Sequence, residues 1–164
     1  MLTRPATHAD LPAILEIYNW AILHTTATND YDPHTLEQRT TWFDAHGRDG
    51  YPVFVAEDDA GRVVGWSSLS RYKERIGYRF TAECSIYLAP EVHGRGIGKL
   101  LMPPLIEAAR AMGLHAIVAG IDSENVASLK LHARFGFVEV ARFREVGFKF
   151  GQWLDVVYLE LVLT

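Results

Sequence analysis

The chain contains few of the residues on which several protein classes depend. It has one cysteine, Cys84, among 164 residues, so no disulfide can form within the chain. Its seven histidines are scattered, and none lies four residues after another, so the spacing typical of a zinc site is missing. We therefore expect neither a disulfide-stabilised scaffold nor a metal site.

Long apolar runs and an excess of positive charge are also missing. No run approaches the ~20 apolar residues that span a bilayer. Residues Met1 to Pro5 lack the apolar core of a signal peptide. The net charge is −4, whereas a nucleic-acid-binding face would be basic. These features predict a cytoplasmic protein that binds neither membrane nor nucleic acid, and they leave room for a local basic pocket.

The residues that are present suffice for one ordinary core. Hydrophobic residues make up 49% of the chain and charged residues 22%, which is usual for a globular protein. A chain of this length needs no metal or disulfide to bury a sizeable core. Length and the absence of a linker predict a single domain over residues 1–164.

Hydrophobic periodicity and turn residues predict elements in the order β-αα-βββ-α-β-α-ββ. This mixed order predicts an α+β fold, in which four helices flank a mixed, mostly antiparallel sheet of about seven strands. The predicted strands are Leu2–Arg4, Val53–Glu57, Val63–Ser70, Thr81–Leu88, Ala116–Ala119, Phe137–Glu145 and Leu154–Leu163. The predicted helices begin near Thr7, Asp32, Gly98 and Asn125 and end near Ile22, Gly47, Met112 and Phe135.

Three local signals refine these boundaries. Thr7 and Asp10 have the spacing of a capping box, and Asp32-Pro33 is typical of an N-cap followed by the first helical residue. Pro103-Pro104 lies inside the third helix, which predicts a kink there or a later helix start. Gly147 and Gly151 are predicted to bracket the final turn.

A glycine-rich segment lies between the predicted strand Thr81–Leu88 and the helix that begins near Gly98. Its residues are His93, Gly94, Arg95, Gly96, Ile97 and Gly98. A strand, a glycine-rich loop and a helix N-terminus form an anion site, because free N–H groups and the helix dipole favour negative charge. The spacing matches neither a Walker A loop nor G-x-G-x-x-G. Taken alone, the segment fits a phosphate site or a tight turn that binds nothing.

The neighbouring motifs indicate more specifically what this segment binds. Gly96 and Gly98 precede, by about thirty residues, a helix with Asn125, Ser128 and His132, followed by Gly136-Phe137. This combination resembles the GCN5-related N-acetyltransferase (GNAT) family, although His93 stands where the family usually has arginine or glutamine. Nearly the whole chain, and above all Gly147 to Asp155, is similar to the phosphinothricin/methionine sulfoximine acetyltransferase branch.

The resemblance implies acetyl-CoA as acetyl donor. The N–H groups of residues His93 to Gly98 would bind its pyrophosphate. The extended backbone of Ile86, Tyr87 and Leu88, on a strand that splays from its neighbour, would bind the amides of its pantetheine arm. Asn125 and Ser128 lie on the helix face that would border this channel, and Asn125 would also bind pantetheine amides.

Two residues are candidates for proton transfer. Glu83 shares a strand face with Thr81, Ser85 and Tyr87, and partial burial would raise its pKa enough for a useful base. The residues alone favour a strand glutamate facing solvent or in a salt bridge, and the resemblance favours the base. His132 matches the branch and would act as acid or base. Cys84 has no obvious base partner in the sequence, so direct attack by the amine is preferred to a covalent acetyl-cysteine.

The acceptor side is predicted from charge. Arg71, Lys73, Arg75 and Arg79 place four positive charges in nine residues, which suits an acceptor carboxylate or a solvated loop. Gly77-Tyr78-Arg79 is retained from the branch, and Arg75, Tyr78, Arg79 and Glu83 are predicted to contact the acceptor. The segments Tyr72–Ile76 and Thr28-Asn29 depart from the branch, and both are expected to line the acceptor pocket.

These observations predict transfer of acetyl to the α-amino group of a small amino-acid-like acceptor of the phosphinothricin, methionine sulfoximine or methionine sulfone type. The alternatives are another amine acceptor, such as a polyamine, an aminoglycoside or a protein N-terminus, and a non-catalytic acyl-CoA-binding module. The resemblance also implies a homodimer.

Overall fold

The computed structural model describes residues 1–164 and has the predicted fold class and element order. The strands are β1 (Leu2–Pro5), β2 (Val53–Glu57), β3 (Val63–Arg71), β4 (Thr81–Leu88), β5 (Ala116–Asp122), β6 (Val138–Lys149) and β7 (Gln152–Val162). The helices are α1 (Leu11–His24), α2 (Leu36–Asp49), α3 (Gly98–Ala111) and α4 (Val126–Arg134). Short 3₁₀ turns lie at His8–Asp10, Ile76–Tyr78 and Pro90–Val92.

The seven strands form one sheet in the order β1-β2-β3-β4-β5-β7-β6. All neighbours are antiparallel except β4 and β5, which run parallel and are connected through α3. Their ladder contains only three residue pairs, from Thr81–Ala116 to Glu83–Val118. Since both strands continue beyond the last pair, the sheet opens between their carboxyl ends.

The two sheet faces carry different helices. Leu69 and Ala82 pack in one core cluster with Leu105 and other buried residues of α3. Ile14 of α1 packs in a second cluster with Trp66 of β3. Leu69 and Trp66 are three positions apart on β3, so their side chains lie on opposite faces of the sheet. Helices α3 and α4 cover the face of Leu69, and helices α1 and α2 cover the face of Trp66. None of the four helices combines the length and apolarity needed to cross a membrane.

Helix starts were partly predicted. Thr7 and Asp10 do form a capping box ahead of α1. The predicted start of α2 at Asp32-Pro33 is wrong: Thr35 is the N-cap, and its side chain accepts from Gln38 N–H in a second capping box. The helix ends two residues beyond Gly47, because Gly50 supplies the left-handed C-cap at φ 77°.

The double proline does not shorten α3. The helix begins at Gly98 and continues through Pro103 and Pro104 to Ala111, so the alternative of a later start is wrong. The two missing N–H groups would have bonded to the carbonyls of Lys99 and Leu100. Both residues are exposed, so water can satisfy these carbonyls.

The last hairpin is longer and turns later than predicted. β6 extends to Lys149, Gly147 lies within the strand opposite Leu154, and the chain turns at Phe150-Gly151. The pairing of β6 with β7 is irregular between Phe143 and Gly147. Such bulges are common beside active sites.

Candidate active site

The opening between β4 and β5 exposes backbone groups of alternate residues. Ala89 N–H bonds to Val64 O at 2.9 Å on the β3 side, and Phe80 O accepts from His115 N–H at 2.8 Å on the β5 side. In an extended strand the backbone groups of successive residues point to opposite sides, so odd-numbered residues of β4 face β3 and even-numbered residues face β5. Ile86 and Leu88 therefore direct their backbone groups into the opening. The backbone of Tyr87 faces β3, where Tyr87 is opposite Trp66.

One of these backbone groups already has a partner. His93 Nε2 lies 3.1 Å from Leu88 O and donates to it, so His93 bonds to the end of β4 rather than pointing out of the loop. The groups left for a ligand are the N–H and C=O of Ile86 and the N–H of Leu88. A chain of amides, such as a pantetheine arm, fits this arrangement as a peptide fits a sheet edge.

The glycine-rich loop presents unbonded N–H groups ahead of α3. Gly94 and Gly96 have φ values of 76° and 81°, which other residues rarely adopt. The N–H groups of Gly94, Gly96 and Ile97 have no acceptor in the protein, and no side chain caps α3. Arg95 is exposed beside them. Oriented N–H groups at a helix N-terminus fit a pyrophosphate.

Two loop residues also have a packing role that the sequence did not reveal. The side chain of Ile97 is buried in the core at 2% exposure. A Cβ on Gly98 would lie 2.7 Å from Leu131 Cδ2, so this glycine lets α3 approach α4. The close approach fixes α4, which carries His132, against the opening.

Polar residues of α4 bond mainly to one another. Asn125 is the N-cap, and its side-chain oxygen accepts from Ser128 N–H at 3.2 Å, which leaves its amide NH₂ free for a ligand. Ser128 Oγ lies 3.5 Å from His132 Nδ1. Asn125 and Ser128 therefore order the helix face that borders the opening.

His132 is buried and has partners on both ring nitrogens. Nδ1 lies 2.8 Å from Ser128 O, and because a carbonyl only accepts, Nδ1 carries the proton. Nε2 lies 3.7 Å from Cys84 Sγ and accepts from the thiol. Burial lowers the pKa of His132, so the ring is neutral near pH 7.

This contact corrects the expectation that Cys84 has no base partner. The partner does not make it a nucleophile, because burial raises the pKa of the thiol to about 12 and keeps it protonated. The side chain does point away from Glu83, as the strand alternation predicted.

Glu83 lies on the opposite face of β4, in a cavity of about 540 Å³. Its carboxylate is half-buried, with no hydrogen bond or ion pair within the protein. Burial alone raises its pKa. The cavity is lined by Asn29, Glu83, Gly120, Phe143, Val146, Gly147, Phe148, Val156 and Tyr158. An unpaired carboxylate of raised pKa that lines a cavity is a suitable general base.

Most of the cavity wall was not predicted. Asn29 belongs to a segment that was expected to line the acceptor pocket, and it does line the cavity, whereas Gly120 was not singled out and Gly147 was placed in the final turn. A Cβ on Gly120 would lie 3.2 Å from the Tyr158 ring, so this glycine admits the ring to the wall. Gly120 lies opposite Tyr158 in the ladder between β5 and β7, a pairing that no local sequence pattern indicates.

Of the four predicted acceptor contacts, only Glu83 lies in this cavity. Arg75, Tyr78 and Arg79 are exposed and do not line it. Arg79 Nη1 donates to Ile76 O at 3.1 Å, and its guanidinium group lies 4.3 Å from the Phe80 ring centroid. The structure unites Glu83 with Asn29 and Tyr158 instead.

A strand with a splayed neighbour, a phosphate-binding loop and an unpaired carboxylate together define an acyltransferase that binds its donor through the sheet. Residues 14–137 match the Acetyltransferase (GNAT) family. A methionine sulfoximine/methionine sulfone acetyltransferase from Pseudomonas paraeruginosa is 47% identical over 98% of this chain and 93% of its own length. A phosphinothricin N-acetyltransferase from Streptomyces coelicolor is 41% identical over 96% of this chain and 93% of its own length.

A solved acetyltransferase from Salmonella typhimurium, with acetyl-CoA bound, superposes at a TM-score of 0.97 with 42% identity, covering 99% of this chain and 94% of that one. The chain belongs to the GNAT family and, within it, to the phosphinothricin/methionine sulfoximine acetyltransferase branch. It is an N-acetyltransferase with acetyl-CoA as donor.

Proposed function

We propose that the enzyme acetylates the α-amino group of a small amino-acid-like acceptor of the phosphinothricin, methionine sulfoximine or methionine sulfone type. The observation that carries this proposal is the unpaired Glu83 carboxylate in a cavity of about 540 Å³, a volume suited to a small molecule. The names of the two curated relatives support the acceptor type.

Donor binding is proposed to use both backbone sites. The N–H groups of the His93–Gly98 loop bind the pyrophosphate, and Ile86 and Leu88 bind pantetheine amides along the opening. Asn125 contributes its amide NH₂ and Ser128 borders the channel. The donor supplies an acetyl thioester, and the unpaired N–H of Ile86 is a suitable donor to the developing oxyanion.

Glu83 is proposed to take the amine proton, directly or through water, so that the amine attacks in a ternary complex. Arg75, Tyr78 and Arg79 stay proposed contacts for the acceptor's carboxylate, at the basic segment just before β4. Since none of them lines the cavity, the acceptor's carboxylate would have to extend beyond it toward this segment.

His132 is proposed as the second, weaker proton-transfer group. Its ring is neutral and its Nε2 accepts from Cys84, so it has no proton to deliver from that atom near pH 7. We expect His132→Gln to lower kcat by less than about 10-fold, far less than loss of a principal acid or base. Steady-state kinetics at saturating acetyl-CoA measure this. A loss as large as that of Glu83→Gln would reverse the ranking.

The pH dependence of the rate should report Glu83. The base acts only when ionised and its pKa is raised, so kcat/KM for the acceptor should fall as pH decreases through that raised pKa and level off above it. The profile of His132→Gln should keep this acid limb, because the limb belongs to Glu83. Disappearance of the limb in His132→Gln would assign it to the histidine.

The cavity argues against polycationic acceptors. Glu83 is its only carboxylate, whereas a polyamine or aminoglycoside site would carry several acidic groups. A protein N-terminus would need an open groove for the following residues. A small acceptor bearing one amine suits the cavity best.

A homodimer is proposed as the assembly, and the cytoplasm as the location. Apolar side chains on the β6–β7 hairpin are exposed, including Val146 at 59% and Trp153 at 64%, which is typical of a surface that another chain covers. Sedimentation velocity at micromolar concentration would show the dimer mass, and a monomer would contradict it.

Product analysis tests the proposed reaction site. Enzyme, acetyl-CoA and methionine sulfone should yield a product whose acetyl group is on the α-nitrogen, as shown by the downfield shift of the α-proton in NMR. Acetylation of any other atom, or no product with this acceptor type, would contradict the proposal.

A further inference from the structure

The loop of residues Thr25 to Tyr31, here called the 25–31 loop, is anchored from three strands. Lys149 Nζ donates to Thr25 O and Thr28 O, each at 2.8 Å. The Thr26 hydroxyl donates to the carboxylate of Asp122 on β5. Tyr87 Oη of β4 donates to Ala27 O at 3.3 Å.

Further bonds fix the rest of the loop. Tyr18 Oη bonds to Thr28 Oγ1 at 3.0 Å and to Asp30 Oδ2 at 2.5 Å, and the Tyr31 hydroxyl donates to Phe148 O. A loop held this way is preorganised, so its backbone does not have to be ordered when a ligand binds.

Asn29 is the polar side chain of this loop that has no hydrogen-bond partner in the protein and lines the Glu83 cavity. Its position is defined, because Asn29 Oδ1 lies 3.0 Å from the point where a Cβ on Gly147 would be. Glycine at position 147 therefore makes room for the carboxamide. Glu83 and Tyr158 are the other lining residues with polar side chains.

We propose that Asn29 is a specificity-determining residue, whose carboxamide hydrogen-bonds a polar group on the acceptor's side chain. It selects amino-acid-like acceptors whose side chain carries oxygen or nitrogen atoms over acceptors with a purely apolar side chain. The carboxamide both donates and accepts, so a sulfone, a sulfoximine or a phosphinate meets a complementary partner. This inference rests on the proposed function and adds the residue that recognises the acceptor's side chain.

The test compares methionine sulfone with methionine, which differ only by the two sulfone oxygens. The quantity is the ratio of their kcat/KM values, with both compounds measured as substrates. Asn29→Leu keeps the approximate shape and removes both hydrogen-bonding groups. One lost hydrogen bond lowers the sulfone-to-methionine ratio by about 3- to 10-fold, with the KM for acetyl-CoA unchanged.

Two further variants keep the test independent of a single substitution. Gly147→Ala displaces the carboxamide without removing it, and should lower the ratio in the same direction. Ala27→Leu, an exposed position of the same loop that does not line the cavity, should leave the ratio at the wild-type value.

The outcomes separate this inference from the proposed function. If the wild type acetylates neither acceptor, the proposed function fails and this inference fails with it. If the wild type prefers the sulfone and Asn29→Leu retains that preference, the inference alone is overturned. A ratio that falls in Tyr158→Phe and not in Asn29→Leu would assign side-chain recognition to the tyrosine and also overturn it.

Discussion

Glu83→Gln should lower kcat by about 10²- to 10⁴-fold, the usual cost of removing a general base. The amide has nearly the shape of the carboxylate and cannot accept the amine's proton, so the KM for acetyl-CoA should stay near the wild-type value. The effect should be large because no second carboxylate lines the cavity. Initial rates of thiol release at saturating donor and acceptor measure it.

A matched substitution controls for the change itself. Glu107→Gln alters an exposed glutamate on α3 without an ion pair, and should keep wild-type kcat. Near-wild-type kcat in Glu83→Gln would show that water or another group takes the proton, and Glu83 would lose its assigned role.

Lys149→Met should lower the free energy of unfolding by about 2–4 kcal/mol, since an unsatisfied buried acceptor costs about 1–3 kcal/mol and two carbonyls lose their donor. The lysine is 2% exposed, and its Nζ bonds to Thr25 O and Thr28 O. Methionine fills similar space without the donor. Burial lowers the pKa of Lys149, and relief of that burial cost offsets part of the loss.

Urea denaturation measures this change through the midpoint at unchanged m-value. The 25–31 loop also loses its two bonds to the Lys149 side chain, so the KM for the acceptor should rise while the KM for acetyl-CoA does not. Lys130→Met, on the exposed face of α4, is the control and should change neither quantity. A wild-type midpoint in Lys149→Met would show that the two carbonyls find water and that the anchor adds little.

Local patterns predicted most of the fold. The bounds of β2 and β4, the capping box at Thr7 and the order of all helices and strands follow from alternation, periodicity and turn residues that act over a few positions. The start of α2 was missed because two capping signals lie three residues apart, and the Thr35–Gln38 box forms rather than one at Asp32. Such competition is decided by tertiary packing.

The candidate site was only half predictable for the same reason. The face that Glu83 shares on β4 follows from strand alternation, and the roles of Glu83 and of the glycine loop came from the resemblance. The cavity unites Asn29 with Gly120 and Tyr158, and the last two come together through the pairing of β5 with β7, which are distant in sequence. No local pattern encodes that pairing. The contact between Cys84 and His132, 48 residues apart, depends on how α4 packs on β4.

The basic segment before β4 lies outside the cavity. Charge density pointed to Arg75 and Arg79 as acceptor contacts, yet both side chains are exposed and outside the cavity. A cluster of charges indicates which ligands a surface attracts, but it does not indicate where the cavity lies.

The most direct measurement is thiol release from acetyl-CoA by the wild-type enzyme with a panel of acceptors: phosphinothricin, methionine sulfoximine, methionine sulfone, ordinary amino acids, spermidine and a peptide. The proposed function predicts turnover concentrated on the first three, with kcat/KM at least about tenfold above the others, which corresponds to ~1.4 kcal/mol of discrimination. Preferred turnover of spermidine or the peptide, or none with any acceptor despite acetyl-CoA binding, would contradict it.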